Sequence, residues 1–194
     1  MTNTLLAQKA ALRKQIRGVL QKIPPAVRTS MSAQIRDRLK ESAIWTNAGS
    51  VLLFAPLPDE PDAWPLLEDA LAGGKIAALP RFDPASHGYV AGRVKNLRRD
   101  IVAGQFGIRE PGAHCVEIPL NRLDLVLVPG VGFDLSGRRL GRGRGFYDRL
   151  LADVDGIKCG IAFDEQMANE VPAGPSDVRL NFILTPTRCV EIAD

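Results

Sequence analysis

Apolar positions along the chain fall into two kinds of run. Leu5, Leu12, Ile16, Val19 and Leu20 share one broad face over residues 4–21, and Met31, Ile35 and Leu39 recur every four residues over 29–42. Both spacings predict amphipathic helices. Pro24-Pro25 separates them, since a proline inside a helix loses a hydrogen bond and clashes with the preceding turn. Residues 50–55, 75–79, 89–94, 123–128, 157–163 and 182–185 read as strands, with helical stretches at 64–72 and 146–153 between them. Several of these strands, Leu125-Val126-Leu127-Val128 above all, are continuously apolar. A strand apolar on both faces suits a parallel sheet covered on both sides by helices. The predicted fold class is therefore α/β, a three-layer α/β/α arrangement with a mostly parallel central sheet and an N-terminal helical pair. One domain over residues 1–194 is expected, with a loop near Ala103 to Gly112.

Composition narrows the class without naming a chemistry. An apolar fraction of 45% and a charged fraction of 24% are those of an ordinary globular protein, long enough at 194 residues for one substantial core. The apolar runs fall well short of the roughly 20 residues that a bilayer span requires. The first helix carries Lys9, Arg13, Lys14 and Arg17 without the apolar centre of a secretion signal, so a cytoplasmic protein is expected. A net charge of +3 does not demand nucleic acid as a partner. Cys115, Cys159 and Cys189 are odd in number and lack C-x-x-C spacing, which argues for reduced packing residues. Two histidines, His87 and His114, are too few for a histidine metal cluster, so chemistry must lean on Arg, Lys, Asp, Glu and Tyr.

Charge becomes informative locally. Between Arg138 and Arg149 lie five arginines against one carboxylate, interleaved with Gly141, Gly143 and Gly145 and followed by a helix pattern from Phe146. Glycines let a backbone approach a ligand and adopt the positive φ that aims successive N–H groups at one point. Arginines add forked donors that match phosphate oxygens. A polyphosphate site is expected there, although neither G-x-x-x-x-G-K-[ST] nor G-x-G-x-x-G occurs. The alternative for a lone G-x-G-x-G is a tight strand-to-helix connection. A second charged segment, Pro56-Leu57-Pro58-Asp59-Glu60-Pro61-Asp62, also leaves a strand at its carboxyl end, where open α/β sheets bind ligands. Asp62 suits the N-cap of the helix near Trp64, whereas Glu60 has no such duty and is a candidate functional residue.

The run Arg139-Leu140-Gly141-Arg142-Gly143-Arg144-Gly145-Phe146-Tyr147-Asp148, preceded by Val128-Pro129-Gly130-Val131-Gly132-Phe133-Asp134, resembles the signature of the 5-formyltetrahydrofolate cyclo-ligase family, also called 5,10-methenyltetrahydrofolate synthetase. Lys9 to Arg13, Asp59-Glu60, Leu79 to Phe82 and Gly107 to Pro111 follow the same family order. The resemblance implies ATP- and Mg²⁺-dependent closure of 5-formyltetrahydrofolate to 5,10-methenyltetrahydrofolate with release of ADP and phosphate. It implies ATP contacts from Lys9, Arg13 and residues Arg139, Leu140, Gly141, Arg142, Gly143, Arg144, Gly145, Phe146 and Tyr147. Arg142 and Arg144 would stabilise transition-state charge. Ala55, Glu60, Phe106 and Tyr147 would contact folate, and Asp148 and Asn181 would hold Mg²⁺. Asn181 stands where the family pattern carries an aspartate, which leaves open a catalytically weakened folate- or nucleotide-binding relative. Without the resemblance, Lys9 and Arg13 read as a solvated helix face. The partners implied are small molecules, neither membrane nor RNA, for a monomer.

Overall fold

The computed structural model describes residues 3–104 and 107–193. Helix α1 (Asn3–Leu20) and helix α2 (Pro25–Glu41) flank the proline pair, with Pro25 at the first helical position, where its fixed φ suits helix entry and its missing N–H costs nothing. The second helix thus begins four residues before the predicted Thr29. Met31, Ile35 and Leu39 are buried as their spacing requires, whereas Val19, placed on the apolar face by the sequence, is 41% exposed. Short α3 (Ala43–Thr46) leads into strand β1 (Ser50–Leu52), helix α4 (Trp64–Ala72), strand β2 (Ile76–Asp83) and strand β3 (Gly88–Val94).

Helix α5 (Leu97–Asp100), strands β4 (Ile101–Ala103), β5 (Arg109–Pro111) and β6 (Glu117–Ile118) follow. Then come β7 (Leu125–Val128), β8 (Gly132–Phe133), β9 (Arg139–Leu140), helix α6 (Phe146–Ala152) and strands β10 (Ile157–Ile161), β11 (Phe182–Leu184) and β12 (Cys189–Glu191). The predicted loop at 103–112 is in part a strand pair, with Ile101 opposite Pro111 and Ala103 opposite Arg109. Its strands are too short and too polar for periodicity to reveal.

The main sheet has the order β12-β11-β10-β7-β1-β2-β3-β6. Its five middle strands, from β11 to β2, are parallel; β12 and β3 run antiparallel to them, and β6 pairs antiparallel with β3. Side chains of β7 alternate between two cores: Leu125 and Leu127 pack with α1, α2 and α4, while Val126 and Val128 pack with Leu150 and Leu151 of α6. Burying each such side chain contributes about 1.5–3 kcal/mol, which accounts for the uninterrupted apolar run. Ahead of that run, Asp124 Oδ2 accepts hydrogen bonds from Gly49 N, Ser50 N and Ser50 Oγ at 2.8–2.9 Å, fixing the register of β1 on β7.

At the other end of β7 the chain passes under Phe133, whose ring is fully buried. A Cβ on Gly130 would lie 2.7 Å from Phe133 Cζ, and one on Gly160 would lie 2.9 Å from Phe133 Cε1. Only glycine at both positions lets this ring join β7, β8 and β10 beneath the site.

Candidate active site

A cavity of about 320 Å³ opens at the carboxyl ends of β1 and β7. Strand β2 lies on one side of β1 and the much later β7 on the other, so the crevice forms where the sheet order reverses. Phe54 and Ala55, leaving β1, and Pro129 and Gly130, leaving β7, line it.

Its basic wall is delivered by the β8–β9 hairpin. Asp134, 1% exposed, accepts Ser136 N and Arg138 N on Oδ1 and Val171 N on Oδ2, so this carboxylate builds the turn between the two strands. The step from this turn into β9 sends neighbouring arginines apart. Arg138 reaches the surface carboxylate of Glu170 at 3.0 Å and does not line the cavity. Arg139 is buried, donates from Nη2 to Asp148 Oδ1 at 2.7 Å, and lies 5.7 Å from the Tyr147 ring centroid. Its buried Nε has no hydrogen-bond partner among the described residues. Beyond it the chain takes positive φ at Gly143 (105°) and Gly145 (65°), the latter capping α6, while Arg142 and Arg144 face the cavity.

Helix α1 supplies a second row of cations. Lys9 and Arg13 sit on the same stripe as Ile16 and Leu20, and Lys9 is only 6% exposed, which overturns the solvated-face alternative. Lys9 Nζ donates to Asp177 Oδ2 at 2.6 Å, and Arg13 Nε donates to the Gly141 carbonyl at 2.7 Å. Burial alone would raise the Asp177 carboxyl, but Lys9 and the Gly174 N–H outweigh it and hold the group below its usual range.

Glu60 forms the opposing acidic wall, with a side chain 6% exposed. Its Oε2 accepts Leu57 N at 3.0 Å and its Oε1 accepts Arg142 Nε and Nη2 at 3.1 and 2.9 Å. Burial raises this carboxyl above its usual range, and Arg142 only partly opposes the shift. Asp62 Oδ1 accepts Trp64 N at 3.0 Å at the start of α4, the capping contact its position predicts, although Ala63 is the N-cap residue. Burial also pushes the Tyr147 phenol far up, with Glu60 adding to the shift, so it stays a neutral hydroxyl.

The sequence profile of the 5-formyltetrahydrofolate cyclo-ligase family matches residues 6–186. The chain belongs to this family. It is 33% identical to the 5-formyltetrahydrofolate cyclo-ligase of Mycolicibacterium smegmatis over 93% of this chain and 94% of that one. It is 31% identical to the Escherichia coli K12 protein of the same name, covering 87% and 95%. In structure it resembles the Aquifex aeolicus 5,10-methenyltetrahydrofolate synthetase, with a TM-score of 0.87 at 30% identity over 96% of this chain and 93% of that one. Membership of the cyclo-ligase family makes the protein a ligase of folate one-carbon chemistry.

Against this cyclo-ligase frame, the cavity brings together Lys9, Arg13, Ala55, Glu60, Arg139 and the run from Gly141 to Asp148. Leu140 does not line it. Its side chain is fully buried in the core beneath, so only its backbone belongs to the loop. Phe106 lies outside the described residues. Asn181 is not brought to the cavity. Its Oδ1 accepts Lys158 N at 2.9 Å at the amino-terminal start of β10, the end of the parallel sheet opposite Pro129 and Gly130. The metal expectation for Asn181 is therefore corrected: its amide joins the starts of β10 and β11. Asp177, four residues earlier, is the carboxylate that reaches the cavity, and the polar turn Gly174-Pro175-Ser176-Asp177 was its only sequence signal.

Tyr89 of β3 and Glu110 of β5 also line the cavity, as sequence reasoning did not foresee. Glu110 Oε2 accepts Phe82 N at 3.0 Å, tying β5 to β2. Away from the cavity, Asp100, His114 and Cys115 place ligand-type atoms within 4.8 Å of one another, a grouping that counting histidines did not anticipate. Asp100 already accepts from Lys95 N, Asn96 N, Arg99 Nε and His114 Nε2, which gives the cluster a turn-stabilising role.

Proposed function

We propose that the protein closes 5-formyltetrahydrofolate to 5,10-methenyltetrahydrofolate at the expense of ATP, releasing ADP and phosphate. The observation that carries this reading is the single cavity in which a cradle of Arg139, Arg142, Arg144 and glycine backbone faces the buried carboxylate of Glu60. Such a cavity can hold a polyphosphate and a polar heterocycle side by side.

A formyl amide oxygen is a poor leaving group. Transfer of the γ-phosphoryl group to that oxygen gives an iminium phosphate; N10 then attacks the formyl carbon, and departure of phosphate, carrying away the N10 proton, completes the ring. Catalysis of this kind needs positioning and charge stabilisation more than acid–base groups, in keeping with a cavity built on Arg, Lys and carboxylates. In this reading Lys9, Arg13 and Arg139 hold the nucleotide phosphates, with the unpartnered Arg139 Nε as one donor. Arg142 and Arg144 stabilise charge on the transferring group, Glu60 accepts N–H groups of the pterin, and Ala55 and the Tyr147 ring pack against folate.

The donor set also fits Mg²⁺, a hard cation that commonly takes one or two carboxylates together with substrate phosphates. Asp148 and Asp177, both lining the cavity, would hold it. Bound there, the ion would neutralise charge on the phosphate oxygens. The carboxylates themselves orient Arg139 and Lys9. A weakened relative loses its basis once Asn181 lies at the opposite end of the sheet. The protein is further read as a single-domain cytoplasmic monomer. Among the described residues no helix is long and apolar enough to cross a membrane.

Incubation of the pure protein with ATP, Mg²⁺ and 5-formyltetrahydrofolate should generate the methenyl chromophore with stoichiometric ADP. A folded sample giving neither product refutes the proposal.

A further inference from the structure

Glu60 and Arg142, given above to two different substrates, are bonded to each other. Arg142 Nε and Nη2 both donate to Glu60 Oε1, and Nη2 also donates to Asp59 Oδ1 at 2.5 Å. Because Leu57 N already occupies Glu60 Oε2, Oε1 is the oxygen through which Glu60 would receive a pterin N–H. The same donor edge of Arg142 would face a phosphate. A guanidinium is a rigid planar fork, so one edge cannot serve both acceptors at once. Asp59 differs from its neighbours: its side chain is 34% exposed and lies outside the cavity lining.

We propose that Asp59 is a positioning residue which, with Glu60, holds Arg142 on the acidic loop, so that nucleotide and folate bind cooperatively through exchange of this one guanidinium. This rests on the functional reading above. Drawing Arg142 onto a phosphate leaves the buried Glu60 carboxylate short of its counter-charge, a cost that breaking any buried pair incurs. A pterin donating to Oε1 offsets that cost. Conversely, a pterin on Glu60 weakens the grip on Arg142 and releases it toward phosphate. Each ligand thereby removes the competitor of the other, and the coupling is reciprocal. Asp59 sets its strength, because it retains Arg142 without touching either ligand. Gly141 and Gly143, on either side of Arg142, leave its side chain without bulky neighbours in sequence, and the φ of 105° at Gly143 keeps that turn open to glycine alone.

The test is calorimetry with β,γ-methylene ATP and Mg²⁺, with and without saturating 5-formyltetrahydrofolate, on the wild type and Asp59→Asn. Folate should tighten the analogue's Kd about tenfold in the wild type, within the usual range of site-to-site coupling, and the analogue should tighten folate by the same factor. Asp59→Asn should bind the analogue alone several-fold more tightly, with the coupling factor reduced toward about two. A purely structural Asp59 would instead lower Tm and weaken both ligands at an unchanged coupling factor. Equal analogue affinities with and without folate, or a variant that keeps the wild-type factor, overturn the proposal. If the analogue fails to bind, or binds Arg139→Ala as well as wild type, the functional reading falls and takes the coupling with it.

Discussion

Lys9 Nζ meets Asp177 Oδ2 at 2.6 Å, joining the first helix to a turn 168 residues later across the wall of the cavity. The side chains are 7% and 15% exposed, so water compensates neither charge well if its partner is lost. Replacing Lys9 with Met should destabilise the protein by about 3 kcal/mol, the usual cost of uncovering one member of a buried pair. Urea denaturation measures this. Lys9→Met together with Asp177→Leu should recover much of the loss in stability while leaving activity impaired.

Arg142→Ala should lower kcat/KM by about 100- to 1000-fold, as removal of one donor to developing charge does elsewhere. Tm should fall modestly, because the buried Glu60 carboxylate loses its partner, but the protein should stay folded. A large fall in Tm with near-normal kcat would assign the loop a structural role.

Asn181→Asp and Asp177→Asn should part company in their metal response. The first acts at the start of β10 and should leave the Mg²⁺ concentration for half-maximal rate unchanged. The second removes a cavity carboxylate and should raise that concentration several-fold, read from initial rates over a Mg²⁺ titration.

That contrast shows where the sequence was legible. The parallel sheet could be read because β7 is apolar on both faces, and α4 was foreseen at Trp64–Ala72 because Asp62 marks its start. The basic cradle was legible because its glycines and arginines are contiguous in the chain. What escaped notice depends on contacts distant in sequence. Only the turn after Asp177 decides that this carboxylate faces the cavity while Asn181, four residues on, reaches the far end of the sheet. Glu110 comes from a three-residue strand too short to carry a periodic signal, and Tyr89, though in a strand expected at 89–94, meets the cavity only through the antiparallel pairing of β3 with β2. Arg138 and Arg139 look equivalent in the sequence, yet one ends the turn held by Asp134 and faces outward while the other begins β9 and faces inward.

Acid should unfold the protein partly through Asp100. Burial pushes this carboxyl up, but the Lys95 and Asn96 N–H groups, Arg99 and His114 outweigh it and hold the group well below 3.8. A depressed carboxyl contributes stability that is fully present above the unfolded value, about 3.9, and is lost as pH falls through the folded one. Urea midpoints should therefore drop progressively below about pH 4. Asp100→Asn should be less stable at pH 7 and show a shallower acid decline.

Phe133 gives the site a property that its ligand-facing residues do not reveal. The ring lies against Gly130, which borders the cavity, and against Gly160 of β10 in the interior, and both lack the Cβ that would hold it away. The packing of the interior and the position of the cavity wall therefore depend on the same ring. Phe133→Leu should lower Tm and weaken nucleotide binding together, the second effect arising without any contact to the ligand.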